Sequence, residues 1–186
     1  MKFIEDIRIK IGNYFLEKDS SQLNRNRAIY NLEDAKTFGI LFDSSNMEDI
    51  ELVKKYVTYL KEMHKKVKVI GYYSTEIIPE FTYSKLEYDF FSRKELNWYF
   101  KPSGNFVEDF IAEEFDVLLD LNVYDQMPLK YISSLSKAKF KVGKFSMEKN
   151  NIFDMMIEKE DSKGFKYFLR QVDTYMTMIN KSLPKT

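Results

Sequence analysis

Apolar residues near the start of the chain recur at three- and four-residue steps, at Ile4, Ile7, Ile11 and Phe15. That period predicts an amphipathic helix from about Lys2 to Glu17 with one stripe to bury. The stretch Asp19 to Arg27 (DSSQLNRNR) is polar and turn-rich, and reads as a loop or flexible joint. Residues 1–34 are therefore expected to be an N-terminal helix with a polar loop, and residues 35–186 a single α/β domain.

From Ala35 onward the pattern changes to short apolar runs rich in β-branched and aromatic residues. Five or six strands are expected: Phe38–Phe42, Val67–Tyr72, a weaker Tyr88–Phe91, Asp116–Leu121, Lys139–Val142 and Phe153–Ile157. Val117, Leu118 and Leu119 are apolar at consecutive positions, as a strand buried on both faces requires, and this favours a mostly parallel sheet. Helical stripes separate the strands: Ile50, Val53, Val57 and Leu60; a short one at Phe106, Val107, Phe110 and Ile111; Leu129, Ile132 and Leu135; and a long one from Phe165 through Phe168, Leu169, Val172, Tyr175 and Met176 to Ile179. Repeated strand-helix-strand units imply right-handed crossovers and helices on both faces. The expected architecture is α/β, a three-layer Rossmann-like sandwich with an added N-terminal amphipathic helix.

In such a sheet, ligands bind beyond the carboxyl ends of the strands, where the strand order reverses. The loops there carry Asp43-Ser44-Ser45-Asn46, Tyr73-Ser74-Thr75, Ser92 to Lys101 and Asn122 to Gln126. Asp43, Ser44, Ser45, Asn97, Trp98, Asp120 and Asn122 are accordingly the candidate ligand crevice. Asp120 and Asn122 stand out because a carboxylate at the end of a buried strand must find partners or face the crevice. No catalytic residue is assigned. Asp43 to Asp49 contains no glycine, so neither a phosphate loop nor a dinucleotide fingerprint is present. Ser45 with Glu48 three residues later reads as a capping box, with Asn46 as a competing cap. Glu48 and Asp49 would repel a phosphate at that helix start. His64, the single histidine, falls at a helix end beside two lysines and is expected in solvent.

Composition narrows the chemistry. The chain of 186 residues has no cysteine, which removes disulfides, thiolate metal sites and a cysteine nucleophile. The 29 basic and 29 acidic side chains cancel, so no nucleic-acid partner is expected. No metal and no cofactor are expected either. Phe, Tyr, Lys, Asn and Ile are abundant together, as an AT-rich genome produces, so the aromatics alone do not argue for binding. Charges interrupt every apolar run well short of the roughly 20 residues of a membrane span. The first residues lack the apolar run and cleavage site of a secretory signal, and the expected location is the cytoplasm. Glu5, Asp6 and Glu17 offset the basic residues of the first helix, so membrane association is not expected.

The segments FGILFD (from Phe38), ELNWYFKP (from Glu95), FDVLLDLN (from Phe115), AKFKVGKF (from Ala138) and FDMMIE (from Phe153) together resemble a family of small, uncharacterised α/β proteins of Bacteroidetes, a resemblance that implies the fold and no activity. Phe115–Asn122 and Leu129–Phe145 also resemble, locally, the acceptor-side domain of heptosyltransferase-type glycosyltransferases. That likeness implies a Rossmann-like fold and an acceptor-binding role, the donor half of that family having no counterpart here. The expected function is a non-catalytic binding or protein-interaction module, whose first helix covers its own domain or meets a protein partner or a second copy. The alternative is a small transferase or hydrolase in which an aspartate of the strand-end loops serves as general base.

Overall fold

The fold was analysed in a computed structural model, which describes residues 2–76, 88–147, 151–160 and 162–179. Six strands form one sheet: β1 (Thr37–Asp43), β2 (Lys66–Tyr72), β3 (Tyr88–Phe91), β4 (Val117–Asp120), β5 (Phe140–Lys144) and β6 (Met155–Ile157). Their order is β3-β2-β1-β4-β5-β6, and every neighbouring pair is parallel. The chain thus winds outward from β1 to β3, returns to lay β4 against the other side of β1, and winds outward again. The reversal between β1 and β4 defines the crevice of a doubly wound sheet.

Five α-helices accompany the sheet: α1 (Lys2–Ser21), α2 (Met47–Glu62), α3 (Asn105–Ala112), α4 (Met127–Leu135) and α5 (Phe165–Met178). The pleat sends Phe38, Ile40, Phe42, Val117 and Leu119 to one face, where α2 supplies Ile50, Val53 and Val57 and α5 supplies Phe168, Val172 and Met176. Leu41, Ile70 and Leu118 point to the other face, beneath Val107 and Phe110 of α3 and Leu129 and Ile132 of α4. Two-sided burial explains the unbroken apolar runs; each fully buried aliphatic side chain contributes about 1.5–3 kcal/mol. Gly39 in β1 leaves the room that the Phe115 ring occupies: a Cβ there would lie 2.8 Å from it.

The structure corrects two local expectations. The polar stretch from Asp19 does not begin as a loop, because α1 continues to Ser21, with the Ser20 and Ser21 hydroxyls donating to the carbonyls of Glu17 and Lys18. The cap of α2 is Asn46, whose Oδ1 accepts the Glu48 N–H at 2.8 Å, and not the Ser45–Glu48 box. Ser45 is engaged elsewhere, its N–H on Asp43 and its hydroxyl 3.2 Å from that of Ser74. A capping box does form at Ser92 and Glu95, opening a short 3-10 turn over Arg93–Glu95.

The covered face of α1 also differs from the predicted stripe. Gly12 and Leu16 are buried, while Phe3 is 76% and Ile4 58% exposed. The helix lies on α4 and on the loop after the 3-10 turn: Tyr131 donates its hydroxyl to the Gly12 carbonyl at 2.6 Å, Lys130 reaches Asn13, and Phe15 stacks on Tyr99. A glycine marks the closest approach because the Tyr99 carbonyl oxygen sits 2.6 Å from where a Cβ would be. Apolar periodicity carries no sign of such a contact.

Candidate functional site

Asp43 ends β1, and the loop that follows turns back on it: Oδ1 accepts the Ser45 N–H at 2.9 Å and Oδ2 accepts the Gln126 amide. Ser44 is buried, its N–H bonded to the Tyr72 carbonyl at 2.9 Å and its hydroxyl without a partner in the protein. Asp120 ends β4 opposite Leu41 of β1 and is buried on the face covered by α4. Its Oδ1 accepts the Asn122 N–H at 3.0 Å and its Oδ2 accepts the Ser133 hydroxyl at 2.5 Å. Asn122, also buried, accepts the Tyr124 N–H on Oδ1, while its Nδ2 finds no protein acceptor. Asp43 and Ser45 thus face the crevice at the end of β1, whereas Ser44, Asp120 and Asn122 are buried behind it and do not line it.

A cleft of about 140 Å³ opens there, walled by Asp43, Ser45, Asn46, Asp49, Tyr124 and Phe165. Its field is negative. Burial, then the neighbouring carboxylates of Asp43 and Glu48, hold the Asp49 carboxyl above the usual carboxylate range. Past Asp49 and Phe165 the cleft continues into a groove of about 500 Å³ beside Glu48, Glu51, Leu52 and Lys55. Past Leu52 and Lys166 it widens into a hollow of about 680 Å³ between α2 and α5, where Tyr56, Tyr59, Leu169 and Arg170 form the walls. The three hollows share rim residues, with Asp43, Glu48, Asp49 and Glu51 about the first two and Lys55, Lys166 and Arg170, together with Asp173, about the third.

Asn97 and Trp98 do not line this cleft. Asn97 is a loop-builder whose Oδ1 accepts the N–H groups of Tyr99 and Lys101. It holds the turn in which Phe100 adopts a left-handed φ of 66°. Trp98 is 55% exposed, and its carbonyl accepts Arg8 Nε from α1 at 2.5 Å. The ELNWYFKP loop is thus the seat of the N-terminal helix, which Lys101 fastens further by an ion pair with Asp19. His64 is exposed just beyond α2.

Two charged groups inside the fold escaped the sequence pattern. Asp116 accepts the N–H groups of Lys36 and Thr37 and the Lys139 ammonium at 2.9 Å. Burial opposes its charge, but the Lys139 hydrogen bond and the two N–H groups outweigh it and hold the carboxyl below the usual range. Lys141, in β5, is 1% exposed, and its Nζ donates to the carbonyls of Ser133 and Ser134 in the last turn of α4 at 2.7 and 3.1 Å. Among the described residues no three His, Asp or Glu side chains stand close enough together to hold a metal ion, and no helix is long and apolar enough to cross a membrane.

Strand order, layers and a polar crevice at the β1–β4 reversal define a doubly wound, Rossmann-like α/β protein. At the level of family, the chain belongs to DUF6913, a family of unknown function whose model matches residues 8–179. No curated protein and no solved structure matches it.

Proposed function

We propose that the protein is a non-catalytic binding module of the cytoplasm that receives a segment of a partner protein in the crevice and the furrow between α2 and α5. The observation that carries this reading is the state of the two strand-end carboxylates, Asp43 at the crevice and Asp120 buried behind it. Asp43 holds the Ser45 N–H and the Gln126 amide, and Asp120 holds the Asn122 N–H and the Ser133 hydroxyl. Each stabilises the loop that frames it, and a general base needs a carboxylate within reach of a substrate proton. The alternative, a small transferase or hydrolase, would use a remaining lone pair of Asp43, the one of the two that lines the cleft. The furrow's polarity, acidic at Asp43, Glu48, Asp49 and Glu51 and basic at Lys166 and Arg170, suits an amphipathic segment of opposite polarity.

The test uses short amphipathic peptides with basic residues at one end and acidic ones at the other, read by fluorescence anisotropy against a peptide of the same composition with its charges shuffled. The polar peptide is expected to bind more tightly, and Lys166→Glu with Arg170→Glu to remove the preference. Equal binding of the two peptides overturns the furrow. Turnover of nucleotide-sugars or phosphoesters that Asp43→Asn abolishes overturns the non-catalytic reading.

A further inference from the structure

A second cavity, separate from the crevice, lies where the end of α1 and the linker after it meet the last turn of α4. It holds about 390 Å³, and its wall includes Glu17, Arg25, Arg27, Ser134, Lys141 and Asn151. We propose that this cavity is a binding site for a compact tetrahedral oxyanion, the phosphate group of a small metabolite, held by Lys141, Ser134 and Arg27.

Buried ammonium groups are ordinarily matched by a carboxylate. Lys141 instead meets two backbone carbonyls, and the Asp154 carboxylate beside it is taken by others. Asp154 receives both terminal nitrogens of Arg25, at 2.6 and 2.8 Å, and the backbone N–H of Lys141 at 2.8 Å. Burial comes first, then the Arg25 and Arg27 guanidiniums, in pressing the Lys141 amine down to about 7; Asp154 acts in the opposite sense. The cavity thus has a positive field at its inner wall, with Glu17 the opposing carboxylate on its α1 side.

Three donors remain for an occupant. A tetrahedral ammonium with two N–H groups on carbonyls keeps a third. Ser134 is 7% exposed, and its hydroxyl has no partner among the described residues. The Arg27 side chain is 67% exposed and reaches Asp154 through Nε at 3.8 Å, and its terminal nitrogens meet no acceptor among the described residues and can close over a ligand. An ammonium, a hydroxyl and a guanidinium from three directions match the several acceptor oxygens of a tetrahedral anion better than the two of a planar carboxylate.

Sulfate is the probe of choice because, unlike phosphate, it does not titrate near neutrality. Calorimetry at about pH 8, in buffers of different ionisation enthalpy and at ionic strength matched with chloride, is expected to show binding with net proton uptake, because an anion beside Lys141 restores its charge. Phosphate is expected to bind as well, and acetate at least about tenfold more weakly, as the loss of a charge-assisted hydrogen bond implies. Arg27→Ala, a change at an exposed side chain, should weaken sulfate binding about tenfold with the fold intact, and Lys141→Met should abolish proton uptake. No sulfate binding to the wild-type protein, sulfate affinity unchanged by both variants, or acetate binding as tightly as sulfate would each overturn the site.

Discussion

Gly12→Ala separates a docked N-terminal helix from a free one by the sign of its effect. In an isolated helix, alanine is favoured over glycine by about 1 kcal/mol. In the folded protein the new Cβ would lie 2.6 Å from the Tyr99 carbonyl oxygen and 3.1 Å from Met127 Cε. Real Cβ atoms essentially never come closer than 3.0 Å, so the helix must back away by at least about 0.4 Å from a neighbour that is backbone and cannot rotate aside. Overpacking of this kind costs about 1–3 kcal/mol. The same shift lengthens the 2.6 Å bond from Tyr131 to the Gly12 carbonyl, a loss of about 1 kcal/mol. Against the propensity gain, the balance is a destabilisation of about 1–3 kcal/mol, or a fall in Tm of about 2–12 °C for a chain of this length. Differential scanning calorimetry measures that fall, and hydrogen exchange should show faster exchange across α1 alone. A peptide of α1 carrying the same substitution should become more helical. A Tm for the full-length variant at or above that of the parent would refute the docking described here.

Other perturbations test the charged groups of the interior. Asp116→Asn removes the charge and one of the two oxygens that serve Lys36, Thr37 and Lys139, and should cost about 2–3 kcal/mol by urea denaturation. Because the folded Asp116 carboxyl lies below its ordinary 3.8, its contribution is complete above that pH and fades as pH falls through the folded value, so variant and parent should converge in acid. Ser133→Ala takes a donor from the buried Asp120 carboxylate and should cost about 1.5–3 kcal/mol; a change below about 0.5 kcal/mol would mean that solvent reaches Asp120 freely. Lys141, about 7 when folded and 10.5 when unfolded, sheds a proton on folding between those values, so parental stability should climb with pH across that window. Lys141→Met should flatten that climb in denaturation series at rising pH.

Elements whose burial is two-sided were legible in the sequence, because an unbroken run such as Val117-Leu118-Leu119 has no other soluble explanation. The stripe of α2 and most of that of α5 were legible for the same reason, although Tyr175 turns out exposed. Strand order was not: β4 lies beside β1 because of crossovers that no local pattern encodes. Loop position placed Asp43, Ser44, Ser45, Asp120 and Asn122 at two adjacent strand ends, but could not tell that Ser44, Asp120 and Asn122 turn inward while Asp43 and Ser45 line the cleft. Asn97 and Trp98 carry the same polar and aromatic signature yet serve α1, because the loop after β3 lies on the α4 side of the fold. Lys141 was hidden by alternation: in AKFKVGKF it reads as a solvent-facing position, whereas the covering layer above it is the carbonyl end of α4, which needs donors more than it needs apolar surface.

Ser133 joins the two sites physically, and that connection can be measured. Its hydroxyl donates to Asp120 at the end of β4, and its carbonyl accepts Lys141 Nζ from β5. Asp120→Asn would weaken the hold on the Ser133 side chain, and Lys141→Met would remove the donor on its carbonyl, so each change alters the setting in which the other acts. Residues that share a partner in this way show coupling of about 0.5–3 kcal/mol, whereas independent sites add to within about 0.3–0.5 kcal/mol. A double-mutant cycle on unfolding free energy, at a pH near neutrality where both groups matter, should therefore depart from additivity by more than that margin. Additive effects would mean that Ser133 adjusts to each neighbour separately, and that the crevice and the cationic cavity are independent features of one sheet.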